Sequence, residues 1–220
     1  MRWNPLEPGR IEILSGELKE RIRLVRSYML SLDEDLLMQN FYYEAGLRTD
    51  YGLPDTLHGG WESPTCQLRG HFLGHYLSAC AFAWAYYGDS ALLGRGESIV
   101  RALARCQKEN GGRWVFSIPT TYLEWLERRK KVWAPQYTLH KTLMGLLDMA
   151  RFAGSDEALA VAESAADWFY EWSGRFTREQ FDDILDVETG GMLEVWADLY
   201  GLTNHEKYLE LLRRYERPRL

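Results

Sequence analysis

Three junctions of one kind constrain this chain more than any other feature. In each, a helix-forming stretch ends at an aromatic residue and a glycine, and a polar residue then opens the next stretch. They are Tyr87-Gly88-Asp89, Phe152-Ala153-Gly154-Ser155 and Tyr200-Gly201 before Asn204. Glycine suits a helix that closes in a left-handed turn, and Asp, Ser and Asn side chains accept from the free amides of a helix start. Each junction therefore predicts an antiparallel helical hairpin. The pairs are Leu68–Tyr87 with Ser90–Asn110, Tyr137–Phe152 with Asp156–Trp172, and Gly191–Tyr200 with His205–Tyr215. The three junctions are unequally spaced, which argues against a strict solenoid. A ring of hairpins, an all-α toroid, fits better, with the first helix of each pair lining the centre.

Polarity supports that assignment. The predicted inner helices carry His71 and His75, His140, and Glu194 near their N-termini, while two of the three outer helices open with ordinary Ala, Leu and Glu. Helix N-termini also present free backbone N–H groups that can hold hydroxyls or anions. Helical periodicity dominates the rest of the chain and strand signals are almost absent. Glu17–Leu30 reads as an amphipathic helix with Leu18, Ile22, Val25 and Met29 on one side. Asp33–Glu44 reads as a second helix capped by Ser31. From Ala45 to Pro64 there is no period, and Gly46, Gly52, Pro54, Gly59, Gly60 and Pro64 punctuate the segment. Loops of roughly 20 residues inside a domain are uncommon and often functional.

Composition excludes several classes. A net charge of −6 argues against a nucleic-acid footprint. The basic run at Arg128-Arg129-Lys130-Lys131 is short, follows Glu127, and reads as a solvated helix end. No apolar run approaches the roughly 20 residues of a membrane span, and the opening MRWNPLEPGR lacks the apolar core of a signal peptide. Cys66, Cys80 and Cys106 are odd in number and lack CxxC spacing. Reduced thiols and the absent leader make a cytoplasmic location the default. Nine Trp and thirteen Tyr exceed what a plain helical core needs. Such rings suit stacking on sugars, and equally suit thick helix packing.

The block from Gly60 to Ala79, GWESPTCQLRGHFLGHYLSA, sets Trp61, Glu62, Arg69, His71 and His75 around a loop-to-helix junction. His71 and His75 share one helix face. Gly70, Gly74 and Ser78 keep that region small, which favours a polar small molecule over a neighbouring helix. The two histidines have the spacing of a helical metal pair, but HExxH is not met and no third ligand stands nearby. Hydrogen bonding to a polyol and a purely structural role are the other readings. His140 follows Pro135, which suits a first helical turn, so His140 sits near a helix mouth. Glu188 and Glu194 flank Thr189-Gly190-Gly191-Met192. Paired carboxylates are the working groups of most glycosidases, one protonating the leaving oxygen and the other acting at the anomeric carbon. Glu188 can equally stabilise the positive end of the helix that follows it.

These blocks resemble a known family. GWE, RGHFLGHYLSA, Cys106-Gln107, VWAPQYTLHKTLMGLLD and ETGGMLEVWADLYGLTNHEKYL occur in the order seen in the β-L-arabinofuranosidase-like glycosidases, glycoside hydrolase family 127 and its relative, family 146. The resemblance runs from about Leu36 to Tyr215. It implies an (α/α)6 barrel followed by β-sandwich domains, and removal of terminal β-L-arabinofuranose by a zinc-bound cysteine nucleophile with a glutamate acid/base. It implies sugar contacts from His71, His75, His140 and Glu194, with Trp61 and Arg69 beside them. The family's E-T-C motif and later cysteines have no counterpart here, and Cys66, Cys80 and Cys106 match none of them. A related HGGMNE pattern has Thr189 and Leu193 in place of its His and Asn.

The resulting expectation is one all-α domain over residues 1–220, the N-terminal part of a glycosidase barrel without a sandwich. It holds part of a pocket for an arabinofuranosyl-type glycan and has no metal site of its own, the zinc belonging to the complete family enzyme. Alone it is inactive or nearly so, and the open edge of its half ring invites self-association. A non-catalytic sugar-binding protein and a helical interaction scaffold are the alternative classes.

Overall fold

The computed structural model describes residues 8–9, 11–48 and 57–217. Gly52 and Pro54 of the aperiodic segment, and most of the first ten residues, lie outside them. Among the described residues there is no strand. Eleven α-helices follow one another: α1 (Glu17–Ser31), α2 (Glu34–Leu37), α3 (Gln39–Glu44), α4 (His71–Tyr87), α5 (Ser90–Glu109), α6 (Thr121–Glu127), α7 (Pro135–Ala153), α8 (Asp156–Ser173), α9 (Arg178–Val187), α10 (Met192–Thr203) and α11 (Glu206–Tyr215).

The three predicted hairpins are α4–α5, α7–α8 and α10–α11. They stand side by side in two layers. Along one layer α4 packs on α7 and α7 on α10; along the other α5 packs on α8 and α8 on α11. This is an arc of an α/α toroid. Two junctions follow the expected chemistry. Gly88 and Gly154 take the left-handed conformation at φ 65° and 68°, and the Asp89 and Ser155 side chains accept from the amides of α5 and α8. The third differs. α10 runs past Gly201 to Thr203, Asn204 takes the left-handed position at φ 53°, and His205 caps α11 through the Lys207 amide. Asparagine tolerates that conformation better than other residues with a side chain, so it substitutes for glycine as the stop.

The α4–α7 crossing is the tightest in the molecule. A Cβ on Gly74 would stand 1.8 Å from the Lys141 carbonyl oxygen, and one on Gly145 would stand 2.6 Å from the Gly74 oxygen. The small residues of α4 therefore admit a neighbouring helix, which corrects the expectation that they leave the backbone bare for a ligand. Gly70 is likewise covered, by Ser117.

The segment before α4 also departs from expectation. Asp33–Glu44 is two short helices, and Asp33, not Ser31, is the cap, accepting from Asp35 and Leu36 at 2.9 and 3.1 Å. The Ser31 hydroxyl donates back to Tyr28 within the last turn of α1. Gln39 and Asn40 are buried and reach across to the backbone of His58 and Glu62, which ties the end of the aperiodic loop to the helical body. Of the predicted α1 face only Met29 is buried. Leu18 and Val25 stay exposed on the lip of a groove of about 990 Å³ shared with Phe82, Tyr86 and Tyr87 of α4.

The main core lies between the layers and is aromatic-rich: Phe116, Phe169, Trp172, Phe181, Trp196 and Tyr215 are all buried. Gln107 of the Cys106-Gln107 block is buried there and donates to the Val161 and Arg113 carbonyls, joining α5 to α8. The basic run after α6 is exposed, as a solvated helix end should be. No helix among the described residues is long and apolar enough to cross a membrane.

Candidate functional site

The N-terminal ends of α4, α7 and α10 come together at one end of the inner layer. His71 opens α4, and its ring stands 6.4 Å from His75 one turn on and 6.0 Å from Tyr137 of α7. Lys141 lies one turn after Tyr137, with its ammonium 5.1 Å from the centre of the Tyr137 ring. His140, almost wholly buried, meets the exposed Glu194 of α10 at 3.2 Å through Nε2. Its Nδ1 has no hydrogen-bond partner among the described residues.

Two carboxylates hold the inner helices in place. Glu62, on the 3-10 turn Gly60–Glu62, accepts from the Gly70 and Phe72 amides at 2.6 and 3.1 Å and meets His71 Nδ1 at 2.7 Å. It neutralises the positive end of α4 while aligning the first histidine. Glu188 does the same for α7, accepting from the Gln136 and Tyr137 amides at 2.8 and 2.9 Å. The helix it serves is thus α7, which precedes it in the chain, and not α10, which follows. The Gln136 side chain returns a bond to the Glu188 carbonyl and accepts one from Tyr215. The docked turn is tight: a Cβ on Gly190 would meet the Tyr137 amide at 2.7 Å, and one on Gly191 the His140 ring at 2.5 Å. That close approach is the physical reason for the paired glycines.

These surroundings set the protonation states. The hydrogen bond to Glu62 raises the His71 pKa above its usual 6.5, and burial opposes it. Burial lowers His75, helped by Lys141 and His71. Burial and Lys141 lower His140 as well, against the pull of Glu194. Burial pushes Glu188 up to about 7, held back by the two amides it accepts from. The site thus joins His71, whose charged form is favoured by Glu62, to His75 and His140, whose charged forms are disfavoured by burial, with Lys141 beside them. Such a set can donate to and accept from several hydroxyls of one small polyol.

A sequence profile described as Beta-L-arabinofuranosidase, GH127 catalytic domain, matches residues 10–220. The chain belongs to this family. No curated protein matches it. Membership makes it a glycoside hydrolase-like protein, and the all-α hairpin arc agrees with the barrel that the family resemblance implied.

The predicted site residues separate into groups within this frame. His71, His75, His140 and Glu194 converge. Trp61 joins them, its ring 6.0 Å from His71. Arg69 is turned into the scaffold, donating to the Cys66 carbonyl and the Tyr122 hydroxyl at 3.1 and 3.0 Å. Glu188 spends both carboxylate oxygens on α7. Tyr137, Lys141 and Trp133, absent from the sequence-based candidates, stand in the same cluster; each lies within the WAPQYTLHK block that carried His140.

The zinc that the family implies does not fit these residues. Among the described residues no three His, Cys, Asp or Glu side chains are grouped to hold a metal ion. Cys80 and Cys106 are buried, and burial pushes both thiols up to about 12, far from the thiolate form a metal takes.

Proposed function

We propose that this chain forms the sugar-facing wall of a β-L-arabinofuranosidase-type site and binds a terminal arabinofuranosyl unit. The observation that carries the reading is the convergence of His75, Lys141, His140 and the exposed Glu194 at the mouths of three neighbouring inner helices. A furanose offers hydroxyls on both faces of a small ring. Neutral imidazoles donate or accept, the ammonium donates and the carboxylate accepts, so each hydroxyl finds a partner.

Binding rather than turnover is the activity proposed for the chain by itself. The predicted pair Glu188 and Glu194 would need both acids free, and Glu188 is engaged as a helix cap. A cysteine nucleophile would need a lowered thiol pKa, and Cys80 and Cys106 are raised. The carbohydrate partner proposed is an arabinofuranosyl-type glycan. The apolar groove beside α1 and α4 carries a second part of the proposal, self-association, which sedimentation velocity over a range of concentrations tests.

The decisive experiment pairs two measurements on the purified chain. Methyl β-L-arabinofuranoside should raise its melting temperature, and p-nitrophenyl β-L-arabinofuranoside should not be hydrolysed, with or without zinc and reductant. Turnover that disappears in Glu194→Gln would refute the binding-only reading. No stabilisation by methyl β-L-arabinofuranoside would refute the pocket.

A further inference from the structure

The mouth of the site carries two exposed indoles. Trp61 is 63% exposed and Trp133 is 50% exposed, whereas Trp114, Trp172 and Trp196 are buried in the core. Their rings meet edge to face, 6.4 Å between centres at 88°. Exposed indoles usually fold back onto apolar neighbours, because leaving them in water forfeits the free energy of burial. These two are instead held outward. Trp61 rides on the 3-10 turn whose next residue, Glu62, is locked to α4 by its amide bonds. The Trp133 amide donates to the Gln67 side chain at 2.8 Å. Ala134, between Trp133 and α7, adopts a left-handed conformation at φ 45°, which is unfavourable for a residue with a Cβ. Such a conformation persists only where the surroundings enforce it, and it is often found at functional sites.

We infer that Trp61 and Trp133 form a subsite for the group attached to the arabinofuranose, and that this group is a ring that stacks on them. The inference rests on the sugar-wall reading above. Trp61 is continuous with the polyol cluster through His71, so a ring bonded to the bound sugar arrives over the indoles. Among the described residues no Lys or Arg stands over the ring of Trp61 or Trp133. A flat aromatic ring, or a sugar ring presenting its C–H face, stacks on an indole. A second sugar and an aromatic aglycone share that chemistry.

Calorimetric titration with methyl 1-thio-β-L-arabinofuranoside and with p-nitrophenyl 1-thio-β-L-arabinofuranoside, both locked as furanosides and non-hydrolysable, tests the assignment. The aryl thioglycoside should bind wild type about tenfold more tightly than the methyl one, the ratio expected of one added stacking contact. Trp133→Ala and Trp61→Ala should each bring that ratio towards one, while Trp133→Phe keeps most of it. Both positions are exposed, and circular dichroism checks that the variants fold. An unchanged ratio in both alanine variants overturns the subsite while leaving the sugar wall intact. A wild type that binds neither compound overturns both.

Discussion

Adding one methyl group at Gly74 should do more damage than most core truncations. The new Cβ would stand 1.8 Å from the Lys141 carbonyl oxygen and 2.1 Å from its carbon. To restore van der Waals distance the two helices must part by roughly 1.5 Å. Both sides of the clash are backbone, so no rotamer change relieves it. Overpacking that side chains can absorb costs about 1–3 kcal/mol; here at least about 3 kcal/mol is expected for Gly74→Ala. In a chain of this size each kcal/mol moves the melting temperature by about 2–4 °C, so the fall should be roughly 6–12 °C. The same substitution at Gly94, inside α5, meets nothing within 4 Å. There the loss of backbone freedom in the unfolded chain dominates, and Gly94→Ala should stabilise by about 0.5–1 kcal/mol. Thermal and urea denaturation of the two variants, followed by circular dichroism, gives both signs in one experiment. Gly74→Ala within about 1 kcal/mol of wild type would refute the close-crossing argument. Since α4 carries His71 and His75 and α7 carries His140, the variant should also lose sugar binding.

Three further outcomes follow from the site. Gly191→Ala drives a methyl group into the His140 ring, so it should weaken sugar binding and shift the His140 resonances in NMR spectra. The bond to Glu62 raises the His71 pKa, so this pair stabilises the fold fully below pH 6.5 and its contribution is lost as pH rises through the raised value; Glu62→Gln should flatten stability over that window and lower it at pH 6 by about 1–3 kcal/mol. Burial raises Glu188 from 4.5 to about 7, so the folded state binds its proton more tightly than the unfolded chain and stability should fall as pH rises between those values; a Glu188→Gln variant that keeps the same slope would assign it to another group.

The helices and their pairing were legible because their signals are local. Gly88 with Asp89, and Gly154 with Ser155, state a helix stop and a helix start within two residues, and apolar periodicity supplies the rest. Where two residue types can serve one purpose, local reading slipped: Asn204 replaced Gly201 as a stop, and Asp33 outcompeted Ser31 as a cap. The convergence of His71, His75, His140 and Glu194 was also anticipated, since each stands near the start of an inner helix and neighbouring inner helices bring their starts together.

What the sequence by itself determined is therefore the helical hairpins, their order, and which ends carry polar side chains, because these depend on contacts within a few residues. What only the tertiary structure decided is the use of each group. Gly70 and Gly74 look like bare surface until Ser117 and α7 are seen to cover them. Glu188 resembles half of a carboxylate pair until it is found on the amides of a helix that begins 53 residues earlier, at Pro135. Arg69, one residue from the histidine helix's cap, turns away to Tyr122. Each of these assignments rests on a partner distant in the chain, and distance along a sequence carries no record of distance in space.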